Sequence, residues 1–183
     1  LRQNSHSVPD WIKRSQLMPQ QRIAVLEEAI KTVNPTKSLV SQLWIELATA
    51  VSSPKETEQV YQTALEDGRF ANEEDLAAVL IAQAQFLRDS VPNSDYLEFI
   101  YSALRKPFTG KCLKLWNFLL DEEEGRGANA ACQAVYDRLL QGKLAQPQHI
   151  INYALFCELV QGDLEAAFRV YERGIGLFGF PVA

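Results

Sequence analysis

The sequence predicts an all-α solenoid, an α-α superhelix of about five stacked helical hairpins. Two interleaved periodicities carry this. Large apolar residues recur at Trp11, Trp44, Leu80, Trp116 and Tyr153, at intervals of 33, 36, 36 and 37 residues. A second series follows 15 to 20 residues behind, at Leu26, Tyr61, Ile100, Tyr136 and Tyr171, at intervals of 35, 39, 36 and 35. One period shared by two helical series marks a two-helix repeat, and a period in this range marks a solenoid. A third observation agrees with both: no stretch keeps the strict apolar–polar alternation of a strand. The hairpins are expected at about residues 8–35, 40–68, 72–107, 111–142 and 146–181. Together they are expected to form one array over 1–183, a fragment of a longer solenoid.

The elements follow in order. A first helix is expected from Pro9 to Leu17, capped by Ser7, with Pro9 and Asp10 in its first turn. Its partner, about Gln20 to Val33, carries Ile23, Leu26, Ala29, Ile30 and Val33 as an apolar stripe and stops at Asn34-Pro35. The next helix spans about Leu43 to Val51. Ser53-Pro54-Lys55-Glu56 then reads as a capping box with Pro at the first helical position. The helix it opens runs through Val60, Tyr61, Ala64 and Leu65 to Asp67-Gly68, where Gly ends it.

Asn72 opens the third pair, with Glu73, Glu74 and Asp75 at the positive end of the helix dipole. Pro92-Asn93-Ser94 is expected to cap the helix carrying Tyr96, Leu97, Ile100 and Leu104. Phe108-Thr109-Gly110 leads to a helix with Leu113, Trp116, Leu119 and Leu120, broken at Gly125-Arg126-Gly127. The helix from Asn129 to about Leu140 ends at Gly142. The last pair starts at Pro147, with Ile150, Tyr153, Phe156 and Leu159. It turns at Gly162-Asp163 into Leu164, Ala167, Phe168, Tyr171, Ile175 and Phe178. Ala64, Ala103, Ala167 and Gly174 are small residues where paired helices can approach closely.

Composition narrows the function. Net charge is −5, with a pI near 5.1, so the surface as a whole is a poor binder of phosphate. Arg105, Lys106, Lys111 and Lys114 cluster, and a solvated linker accounts for them. No run approaches the roughly 18 apolar residues that a membrane span needs. Leu1 to Asp10 lacks the apolar segment of a secretion signal. Cys112, Cys132 and Cys157 are scattered, without a C-x-x-C pair, and read as buried thiols of a reducing compartment. Only His6 and His149 could join them as metal ligands, and neither is near a cysteine. No metal, cofactor or catalytic residue is therefore expected. Asp121-Glu122-Glu123-Glu124 reads as a solvated helix end or a docking point for a basic partner, and His149 as a surface residue at a helix start. The aromatics could serve as base-stacking platforms. Burial at hairpin interfaces explains them better, which makes Trp11, Trp44, Tyr61, Trp116, Tyr136, Tyr153 and Tyr171 the expected repeat core.

The strings Val135-Tyr136-Asp137-Arg138 and Val170-Tyr171-Glu172-Arg173, behind a Trp or Tyr in the preceding helix, resemble the HAT (half-a-TPR) repeat. Val60-Tyr61-Gln62-Thr63 and Val25-Leu26-Glu27-Glu28 are weaker forms. From about Lys114 to Pro181 the chain is similar to the Syf-type pre-mRNA splicing factors, relatives of Crooked neck. Ile150-Ile151-Asn152-Tyr153-Ala154 and Tyr171-Glu172-Arg173-Gly174-Ile175 carry that similarity. The third hairpin departs from the pattern, with Leu80 in the aromatic place and no Tyr-Glu-Arg string.

The resemblance implies a nuclear, non-enzymatic scaffold in pre-mRNA splicing. Its partners would be other spliceosomal proteins, Crooked neck-like and NineTeen-associated, with RNA in the same assembly as a further partner. Alternatives are a HAT scaffold in mRNA 3′-end formation or ribosomal RNA processing, or a solenoid that binds RNA directly. A truncated last hairpin is also expected to expose Phe178 and Phe180 and to offer a surface for self-association.

Overall fold

The computed structural model describes residues 5–67 and 69–179. Expectations placed on Gly68, Phe180, Pro181 and the first four residues lie outside this set. Among the described residues the regular structure is helical throughout. The helices are α1 (Val8–Leu17), α2 (Arg22–Thr32), α3 (Ser41–Ala50), α4 (Pro54–Asp67), α5 (Glu73–Ser90), α6 (Tyr96–Leu104), α7 (Leu113–Gly125), α8 (Asn129–Gln141), α9 (Pro147–Leu155) and α10 (Leu164–Phe178). A 3-10 turn, Pro19–Gln21, precedes α2, and a π-helical turn, Phe156–Val160, extends α9. The chain forms two compact units, Leu1–Leu115 and Trp116–Ala183.

In the first unit each helix packs on its neighbour in sequence from α1 to α6, and α1 and α5 both pack on α3. A hairpin thus rests on the next one through both of its helices, which is how a stack buries faces that a lone hairpin leaves wet. Its core includes Leu26, Ala29, Val33, Leu43, Trp44 and Tyr61. Fully burying one of these Leu or Val side chains is worth about 1.5–3 kcal/mol.

Local signals set the helix starts. At α4, Ser53 Oγ accepts from the Glu56 amide at 3.3 Å, and Glu56 Oε2 accepts from the Ser53 amide at 3.1 Å. At α5, Asn72 Oδ1 accepts from the Asp75 amide at 2.8 Å. Two starts differ from the sequence expectation. Ser7 makes no side-chain cap at α1. The cap of α6 is Asp95, which accepts from the Glu98 amide at 3.0 Å. Ser94 instead donates to the Leu87 carbonyl at 2.7 Å, closing the helix before it. Asn93 takes the left-handed turn position, at φ 58°.

In the second unit α7 runs through Gly125, and the chain turns at Gly127, φ 66°. No atom lies within 4 Å of where a Cβ on Gly127 would stand, so backbone conformation, not space, requires glycine there. Helix α9 packs on α8 and α10. A Cβ on Gly174 of α10 would stand 2.5 Å from Ile150 Cγ2, so that crossing is as close as glycine permits.

Candidate docking surface

Within each unit, polar side chains tie one hairpin to the next. In the first unit, Asp75 at the start of α5 is buried, and its carboxylate reaches back one repeat. Its two oxygens accept from the Val40 and Ser41 amides, each at 3.0 Å, at the start of α3. Arg69 donates to the carbonyls of Ile30 at 2.7 Å and Val33 at 3.1 Å, at the end of α2. Unpaired groups at helix ends are thereby satisfied by residues of the following repeat. The sequence pattern gives Asp75 only a dipole role and Arg69 none. Their offset of about one period from these targets is the one trace they leave.

The second unit has a counterpart. His149 occupies the same register in α9 as Asp75 in α5. Against the expectation of a surface residue, it is buried. Its Nδ1 accepts from the Gln146 amide at 2.9 Å, which leaves the ring proton on Nε2, 2.8 Å from Asn117 Oδ1 on α7. Burial lowers its pKa from 6.5, so the neutral ring is favoured.

The expected repeat-core residues divide. Trp44, Tyr61, Trp116, Tyr136 and Tyr153 are buried. Trp11 is half-buried: its Nε1 donates to the Ser5 carbonyl at 2.9 Å, and the Arg14 guanidinium lies 5.2 Å from its ring centroid. Tyr171 departs from the expectation, since it is 38% exposed. Tyr61 meets Phe86 of α5 at 5.9 Å between ring centroids, and Tyr136 stacks on Tyr153 of α9 at 4.7 Å and 5°. In both pairs a second helix meets the first helix of the hairpin that follows. Tyr171 holds the same place on α10.

Helix α10 is accordingly apolar on two sides. Ala167, Val170 and Gly174 are buried. Leu164, Phe168, Tyr171, Ile175 and Phe178 form an exposed stripe at alternating steps of four and three, with Phe168 68% and Ile175 55% exposed. That spacing is the seam of a helix-packing surface. Leu26 and Ile30, at the places of Tyr171 and Ile175, are buried on α2, which packs on α3.

The acidic run Asp121–Glu124 is not uniformly solvated. Glu123 is buried. Glu124 Oε1 accepts from Tyr136 Oη at 2.8 Å and from the Cys132 thiol at 3.7 Å. Burial, and then Glu124, push the Cys132 thiol up to about 12 and raise the Tyr136 hydroxyl. Burial, and then Asp137, push Tyr153 up to about 12. These groups stay protonated at neutral pH and act as hydrogen-bond donors, whereas nucleophilic work needs the thiolate or phenolate.

Residues 71–183 match the family model for the Syf1/CRNKL1 C-terminal HAT repeat of pre-mRNA-splicing factors. The chain is 32% identical, over 99% of its length, to a pre-mRNA-splicing factor syf1 homolog of Drosophila melanogaster, of which the matched region is 23%. It is 33% identical, again over 99%, to pre-mRNA-splicing factor SYF1 of Homo sapiens, covering 24% of that protein. To pre-mRNA-splicing factor cwf3 of Schizosaccharomyces pombe it is 29% identical over its whole length, covering 26%. The chain thus spans about a quarter of the curated relatives it matches.

Proposed function

Because the chain belongs to the Syf1/CRNKL1 family of HAT-repeat splicing factors, we propose that it works as a non-catalytic protein-interaction scaffold in pre-mRNA splicing. The family match over 71–183 carries this. The aromatic pairs supply the stiffness a scaffold needs: Tyr61 with Phe86 and Tyr136 with Tyr153 hold hairpins together rather than face a ligand. Docking falls to exposed apolar surface, of which the stripe on α10 is the most extended. The same stripe gives the isolated chain a route to self-association. The proposed site of action is the nucleus, with other spliceosomal proteins as partners. Among the described residues no helix is long and apolar enough to cross a membrane.

Charge weighs against RNA as the primary ligand. Residues 116–183 hold five Lys and Arg against nine Asp and Glu, which places −4 of the chain's −5 in the second unit. An affinity-tagged form of the protein, recovered from nuclear extract, is expected to retain a defined set of splicing proteins at moderate salt. Recovery of RNA alone, with affinity that collapses as salt rises, would overturn the scaffold in favour of direct RNA binding.

A further inference from the structure

A groove of about 570 Å³ lies in the second unit, between the end of α7, the start of α8 and the π turn after α9. Its apolar wall is Leu155, Phe156, Leu159 and Val160, and Glu124, Asn129 and Asn152 edge it. We propose that this groove binds an amphipathic helical segment of a partner protein, one that carries Lys or Arg beside its apolar residues. The proposal rests on the scaffold role and names the chemistry of one partner.

The π turn shapes the apolar wall. The Gln161 amide donates to the Phe156 carbonyl at 3.2 Å, five residues back, so one extra residue enters the turn. Phe156 and Cys157 stay buried, while Leu159, 75% exposed, and Val160 turn to solvent. Two adjacent large apolar residues brought outward add nothing to the core. Ile151 and Leu155 continue the strip at steps of four and are also exposed. An apolar strip at helical spacing beside a groove is how proteins receive amphipathic helices.

Charge selects the occupant. Glu124 Oε1 is held by Tyr136 and Cys132, and Oε2 enters neither bond. Asp121 lies one turn earlier on the same face of α7 and is exposed. Between Trp116 and Asp137, Arg126 is the one basic residue against five acidic ones. A nucleic acid would meet repulsion here, and an acidic segment likewise; a basic one gains complementarity that sets specificity.

The test uses the whole chain and two synthetic helix-forming peptides of roughly 16 residues. One alternates Leu and Lys at helical spacing; the other carries Glu in place of Lys. By fluorescence anisotropy the Lys peptide is expected to saturate a single site, and the Glu peptide to bind at least about tenfold more weakly. Leu159→Ser and Glu124→Gln should each weaken the Lys peptide about fivefold or more, and Leu17→Ser, at an exposed site on α1, should leave it within about twofold. Leu159 is exposed, and Gln at 124 keeps an acceptor for Tyr136, so both variants are expected to keep the wild-type circular dichroism. Equal binding of the two peptides would overturn the proposal. So would indifference to Leu159→Ser, or displacement of the Lys peptide by an oligouridine RNA. Loss of this groove with splicing proteins still recovered from extract removes the groove alone; the reverse removes the scaffold alone.

Discussion

Polar residues that act across a repeat add specific ties to the apolar core of this fold. Asp75 gives a buried carboxylate to two backbone amides of the preceding repeat. Truncation strands both donors, and hydrogen bonds to a charged group are the stronger kind. Asp75→Ala is expected to destabilise the protein by about 2–3 kcal/mol in urea unfolding, with Asp75→Asn losing less. His149 adds a pH dependence. Its pKa is lowered in the folded state, so the unfolded chain binds more protons below about pH 7. Its contribution is complete above the unfolded value of 6.5 and is lost as pH falls through the folded value. His149→Gln should therefore flatten the loss of stability between about pH 7.5 and 5, as unfolding midpoints at the two pH values would show. Neither role is legible locally. Asp75 looks like an N-terminal acid and His149 like a solvated helix start, because a bond that spans a repeat leaves no short-range pattern.

At the scale of elements the sequence is a good guide wherever local chemistry decides. The capping box at Ser53, the Asn72 cap and the breaks near Gly127 and Gly162 all follow from side-chain or backbone preferences within four residues. The π turn after α9 leaves no such mark in the sequence, although Phe156 and Cys157 are buried within it. Helix α10 separates local from tertiary effects in two glycines. Both lower helix propensity by about 1 kcal/mol relative to Ala. At Gly176 a Cβ would have no atom within 4 Å, so Gly176→Ala should stabilise by up to about 1 kcal/mol. At Gly174 it would meet Ile150 at 2.5 Å, so Gly174→Ala should destabilise by about 1–3 kcal/mol despite better propensity. Opposite shifts of the thermal midpoint would establish the close crossing; equal gains would refute it.

At the scale of the molecule, the chain carries an apolar stripe on α10 and a concentration of negative charge in the second unit. The stripe predicts concentration-dependent association. In sedimentation velocity the wild type is expected to grow in mean mass as concentration rises, and Phe168→Ser with Ile175→Ser to remain monomeric. A wild type that stays monomeric would remove this route. The sequence by itself determined the helical class, the period, nearly every helix and the family, because apolar periodicity and caps are written within a few residues. Tertiary structure decided which of the repeated aromatics are covered. Tyr136 and Tyr171 stand in the same sequence motif, yet one is stacked beneath the next hairpin and the other is exposed. Burial depends on which helix lies above a residue, and no motif within the repeat encodes that neighbour.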